Sequence, residues 1–286
     1  MAKKAATYSV VVPVLNRKCS LPNSFPVSLS DSVSIRKVRG DDLVAITEHD
    51  TEAASYLHGG KFTITFDDYD MAWSKDQLGN ALICALFSLN TISSGSALAV
   101  ERAFILKSHR ITKIEKTESW SGYNHAQQAD FKIQSASSVK YARDLYKAVS
   151  TAIAKYPPLR LTVNRLNSAI GRSAIDEKII DLCIALESVF QSQTEISFQF
   201  ALYNSLLSEG DKYKRREVFA LLKKLYGQRS NIVHGNKDAD EKWCEDNLPR
   251  LLSIAKTSVL QKIEFLANKT HDEWKANLEE LALGII

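Results

Sequence analysis

Apolar residues recur along this chain with two different periods, and the change between them divides it. Over residues 1–135 the runs SVVVPVL, KFTITF and RITKIEKTESW are rich in β-branched and aromatic residues or alternate at a period of two, as half-buried strands do. One helical stretch interrupts them. SKDQLGNALICALFSLNTIS carries apolar residues at helical spacing behind Ser74, a residue type that caps helix N-termini. From residue 136 onward the texture is helical. ASSVKYARDLYKAVSTAIAKY stops at Pro157-Pro158, which cannot continue a helix. SAIDEKIIDLCIALESVF places Ile175, Ile179, Leu182, Leu186 and Val189 on one stripe, and REVFALLKKLY does the same with Val218, Leu221, Leu222 and Leu225. LPRLLSIAKTSVLQKIEFLA opens with Pro249 near its first turn, where proline is tolerated, and THDEWKANLEELALG follows it. The expected architecture is an α+β domain over residues 1–135, a candidate sensor or regulatory unit, then an all-α helical bundle over 136–286.

Composition narrows this only slightly. A chain of 286 residues can bury a sizeable core. The net charge of +4 is mildly basic, which permits an anionic partner without demanding one. Cys19, Cys84, Cys183 and Cys244 lie far apart, with no paired spacing and no histidine at ligand distance, so neither a zinc site nor a disulfide framework is expected. No metal and no cofactor is expected. No run approaches the roughly 18 apolar residues of a membrane span. The start, MAKKAATYSVVVPVLNRK, resembles a signal peptide in outline. Its apolar run is short, broken by Pro13 and without a small-residue cleavage site, so a β-strand and a cytoplasmic location are expected instead.

The candidate chemistry lies in KKLYGQRSNIVHGNK, residues 223–237. Val218, Leu222, Leu225 and Arg229 are spaced four, three and four apart, which sets the guanidinium in line with the buried stripe. Ile232 and Val233 resume that stripe. A permanent charge there is costly unless an anion meets it, either a carboxylate such as Glu187 or Asp181 or a ligand phosphate. Tyr226, Ser230 and His234 share another face, at intervals of four. Arg229 and His234 are five apart, so on a straight helix their side chains diverge by about 140°. They converge if the helix ends or bends near Gly235, a candidate C-cap, or if two such pairs meet across a dimer interface. A second arginine–histidine match, Arg102 to His109 in RAFILKSH, lies between a helix and a strand-like run and has no polar residue behind its arginine; it is assigned a structural role.

DEKIIDLCIALESVF, followed by LLKKLYGQRSNIVHG, resembles the HEPN superfamily of helical domains, in particular its ApeA-like branch. The resemblance covers roughly residues 140–270 and leaves the N-terminal half unrecognised. It maps the family's arginine–polar–histidine motif onto Arg229, Ser230 and His234, and an acidic position onto Glu187. It implies a bundle that dimerises into a composite cleft, where the pair cleaves RNA without metal, and a role in phage defence or toxin-like RNA cutting. A protein or phage-derived trigger at the N-terminal domain fits that role. One branch has a tyrosine two residues after the histidine, modified by a partner nucleotidyltransferase; here Asn236 stands there, so that partner is not inferred.

Independently of the resemblance, these residues suit RNA transesterification. A 2′-hydroxyl attacks its own phosphate, an imidazole shuttles the proton near neutral pH, and a guanidinium meets the developing charge in a bidentate fork. Ser230, Asn231 and Glu187 are supporting residues. Arg215 and Arg216 in DKYKRRE, with Lys223 and Lys224, are candidate contacts to the RNA backbone, although such a run also reads as a solvated loop. The competing readings are a non-catalytic HEPN-like dimerisation or nucleotide-sensing module, and a structural bundle in which Arg229 pairs with Glu187. EHD at 48–50 lacks a companion histidine for a metal site. FDDYD at 66–70 lacks a glycine-centred calcium loop and reads as a turn.

Overall fold

The computed structural model describes residues 8–14, 18–20, 26–39, 44, 46, 48, 62–69, 75–93, 102–107, 114–119, 130–190, 195–234 and 240–285. Eight strands are described: β1 (Tyr8–Pro13), β2 (Lys18–Ser20), β3 (Val27–Ser28), β4 (Val33–Lys37), β5 (Phe62–Tyr69), β6 (Arg102–Lys107), β7 (Ile114–Ser119) and β8 (Asp130–Lys132). Eight helices accompany them: α1 (Lys75–Ile92), α2 (Ala136–Lys155), α3 (Leu159–Gly171), α4 (Ile175–Phe190), α5 (Ile196–Ser208), α6 (Lys212–His234), α7 (Glu241–Asn268) and α8 (His271–Leu283). The N-terminal region is thus α+β and the C-terminal part helical. The chain divides into two compact units at Lys147/Ala148, a point inside α2. Among the described residues, no helix is long and apolar enough to cross a membrane.

Cross-strand register builds the core of the first unit. Its antiparallel sheet runs in the order β3-β4-β5-β1-β6-β7, and β2 pairs separately with β8 in parallel. Phe66 faces both Val10 and Val33, and Ile64 faces both Val12 and Ile35, so two apolar rows cross the sheet on one face. Leu78, Leu82, Leu86 and Leu89 of α1 cover those rows, joined by Phe131 and Ile133. Every residue of α1 from Leu82 to Asn90 is buried, as befits a helix that is apolar nearly all round.

Two expectations change here. Residues 66–69 of FDDYD are strand rather than turn, because β5 stays paired with β1 as far as Tyr69↔Tyr8, across a register shift between Tyr8 and Val10. RAFILK is itself a strand, β6, paired between β1 and β7, so Arg102 opens a strand; its match, His109, lies outside the described residues. Ser74, Gly235 and most of the EHD run lie outside them as well.

The second unit is organised around α4, which packs against α3, α5, α6 and α7. The expected stripe holds: Ile179, Leu182, Leu186 and Val189 are fully buried, and Ile175 at the entry is half-buried. The C-terminal carbonyls of α4 have no partner within the helix, so neighbouring elements supply donors. Lys262 Nζ on α7 donates to Ser188 O at 2.6 Å, and Trp274 Nε1 on α8 donates to Val189 O at 2.9 Å. At its other end, the carboxylate of Asp181, only 2 % exposed, accepts from Arg165 at 2.7 Å and from Arg172.

Helix starts account for two further corrections. DKYKRRE is not a loop, because Asp211 Oδ1 accepts from the backbone N–H of Tyr213 at 2.8 Å and of Lys214 at 3.1 Å and thereby starts α6 at Lys212. Pro249 is interior to α7 rather than near its first turn: Asp240 caps the helix through Trp243 N at 3.0 Å, nine residues before the proline, and the ring sits on the exposed face. Thr270 and Glu273 start α8 with a reciprocal capping box.

Candidate functional site on helices α4 and α6

Helix α6 carries both residues of the candidate pair. It runs unbroken through His234, so the phase argument applies in full: the two side chains lie about 140° apart around the axis and about 7.5 Å apart along it. Arg229 turns toward α4 and is half-buried. His234, the last residue of α6, is exposed. A single chain therefore places the two groups on different sides of one helix. Ser230, Asn231 and Ile232 are half-buried between them, whereas Val233, expected on the buried stripe, is 50 % exposed.

The surroundings of Arg229 differ from expectation in one respect and agree in another. Asp181 is not its partner; that carboxylate is occupied by Arg165 and Arg172. Glu187, six residues further along α4, does face it. Burial pushes the Glu187 carboxyl above the usual carboxylate range, while the Arg229 charge and hydrogen bonding from the Tyr226 hydroxyl draw it back part of the way. Yet among the described residues Arg229 forms no ion pair within 4.0 Å. Its guanidinium carbon lies 5.8 Å from the centre of the Tyr226 ring, and its Nε is buried with no hydrogen-bond partner. The fork is thus held beside a carboxylate and an aromatic face without being consumed by either.

Three participants escaped the sequence reading. Tyr226, flanked by Phe200 at 5.3 Å between ring centres, links Glu187 to Arg229. The buried Cys183 thiol lies under the same cluster, its pKa pushed up by burial and by the Glu187 charge. Gln228, also buried, accepts from Asp240 N at 2.9 Å and so ties the end of α6 to the start of α7. Periodicity marks Tyr226 only as a neighbour of Ser230 and His234, and nothing local singles out the other two.

The candidate RNA contacts scatter. Arg215 Nε donates to Glu209 O at 2.6 Å and serves the start of the helix. Lys224 Nζ sits 4.6 Å above the Trp243 ring, facing α7. Arg216 and Lys223 are exposed and fall, by helical phase, within about 20° of His234. Among the described residues no group of three or more His, Cys, Asp or Glu is placed to hold a metal ion. No family model, no curated protein and no solved structure matches this chain.

Proposed function

We propose that the C-terminal helical unit is a HEPN-type endoribonuclease that cleaves RNA by attack of the 2′-hydroxyl, without a metal, as a homodimer. The observation that carries this reading is the half-buried guanidinium of Arg229, poised beside Glu187 and Tyr226 with its Nε buried and unpartnered. A fork so placed suits a phosphoryl oxygen. The 2′-oxygen bonds to the adjacent phosphorus, the bond to the 5′-oxygen breaks, and a 2′,3′-cyclic phosphate and a 5′-hydroxyl result. His234 accepts the 2′-hydroxyl proton and returns one to the departing oxygen, while Arg229 meets the charge on the phosphorane. Helical phase separates the two groups within one chain, so the working site takes Arg229 from one protomer and His234 from its partner.

A second reading is favoured by the electrostatic coupling among Arg229, Glu187, Tyr226 and Cys183: the cluster only holds α6 to α4, in a non-catalytic module. Cleavage of single-stranded RNA in EDTA separates the two. Under the ribonuclease reading His234→Ala lowers the rate about 10² to 10⁴-fold, and Arg229→Lys also fails because a point charge cannot reproduce the fork. Cleavage that persists in His234→Ala overturns the assignment.

A further inference from the structure

One face of α6 continues away from Ser230 and His234 in a single line. Lys212, Arg216, Phe219, Lys223, Tyr226, Ser230 and His234 fall within about 80° of one another around the axis. Lys212, Arg216 and Lys223 are exposed on it, and no carboxylate of α6 shares that arc. Midway along, where α5 begins beside α6, lies a shallow, open depression of about 620 Å³ lined by Glu195, Ile196, Ser197, Phe198 and Lys223. Phe198 is 47 % exposed, an unusual position for a large aromatic ring, and edge contact with Phe219 at 5.8 Å holds it. Lys223 Nζ donates to Ser197 Oγ at 2.9 Å, which sets the ammonium at the edge of the same depression.

We propose that this face is the path of the RNA strand and that the depression is a subsite for one of its nucleotides, Phe198 stacking on the base and Lys223 meeting a phosphate. The assignment rests on the ribonuclease reading above for the identity of the strand. The physical grounds are a fixed, exposed aromatic ring beside a cation, which is how single strands are held irrespective of sequence. They include charge complementarity, since Lys212, Arg216 and Lys223 line an arc of α6 to which that helix contributes no carboxylate, as suits an anionic backbone. Continuity adds to these, because Lys223 stands about 10 Å along the axis from Ser230 and about 16 Å from His234 on the same face, a span of a few nucleotides. Glu195 at the rim opposes a phosphate but not a base, so it favours the orientation with the base inward.

Binding tests this apart from cleavage. A fluorescein-labelled RNA of about 12 nucleotides, roughly the length of single strand that nucleic-acid-binding grooves track, is titrated by anisotropy into the full chain carrying His234→Ala. Phe198→Ala should weaken binding roughly 5- to 150-fold, the range for loss of one stacked base. Lys223→Gln should lower the slope of log affinity against log salt by about 0.7. Leu161→Ala, an exposed apolar residue on α3, is the control and should leave both unchanged. Phe198 and Lys223 are surface residues, and unchanged circular dichroism melting of each variant secures the comparison. Binding indifferent to both substitutions, or absent altogether, overturns the subsite. If cleavage still depends on His234 in that case, the ribonuclease reading survives alone. Phe198-dependent binding without cleavage by the unmutated chain leaves the path standing and removes the ribonuclease reading. A DNA strand of the same sequence should bind more weakly; preference for DNA overturns the assignment to RNA.

Discussion

The guanidinium of Arg229 lies 5.8 Å from the centre of the Tyr226 ring, one turn back on α6, and both groups act on the carboxyl of Glu187 across the interface with α4. The charge is compensated by proximity rather than by contact. Arg229→Ala should therefore cost only about 1 kcal/mol in a urea titration, the range of a weak partly solvated pair. It should also raise the Glu187 carboxyl further, since the substitution removes a positive charge that favours ionisation. A carbon-13 titration of that carboxyl reads the shift. A large loss of stability, with Glu187 unmoved, would show a purely structural arginine.

Asp181 supplies the contrast, a carboxylate consumed by direct contact. Buried and shared by Arg165 and Arg172, it pins the start of α4 to α3. Asp181→Asn should destabilise the chain by about 3 kcal/mol, as breaking a buried pair does. The urea midpoint should fall while the dependence on denaturant stays the same. RNA cleavage by the folded fraction should be unaffected.

These two carboxylates show where sequence was sufficient and where it was not. The stripe of Ile179, Leu182, Leu186 and Val189 was legible because a helix with one buried face must repeat its apolar residues at that period. The capping box of Thr270 and Glu273 went unread, although its spacing stands in the sequence. The sequence does not say which of Asp181 and Glu187, six residues apart on α4, meets Arg229, because the choice depends on α3 delivering Arg165 and Arg172 to one of them. The strand in RAFILK went unread, since its apolar run lacks the alternation of a half-buried strand. DKYKRRE looks like a loop by composition, yet the carboxylate of Asp211 makes it the start of α6.

Lys262 makes stability depend on pH. Fully buried between Ser188 O and the Tyr156 ring, and facing Lys275 and His271, its ammonium falls from 10.5 to about 7, chiefly through burial. Between those values the unfolded chain holds a proton that the folded chain has released, so stability rises with pH. Between about pH 7 and 9 the slope from this group approaches about 1.4 kcal/mol per pH unit. Above 9.0 ionisation of the unfolded Cys183 thiol, whose folded pKa is raised, acts in the opposite sense. Lys262→Met should remove the rise in that window, and parallel pH profiles for the two proteins would contradict this assignment.

Val233 is half exposed, at the end of the apolar stripe and next to His234, as an interface residue would be. Light scattering across a concentration series should report a dimer, and Val233→Asp should leave a folded monomer that no longer cleaves RNA. A monomeric unmutated chain at high micromolar concentration would remove both the dimer and the shared site.

Shared placement of Arg229 and His234 is tested most directly by mixing two inactive variants. Arg229→Ala and His234→Ala, each unable to cleave RNA alone, are unfolded together in equal amounts, refolded, and assayed in EDTA on single-stranded RNA. If each site takes its arginine from one protomer and its histidine from the other, every mixed dimer regains one complete site. Random pairing then restores about a quarter of the unmutated activity. No recovery from a mixture shown to contain mixed dimers, alongside an active unmutated chain, would contradict the shared site.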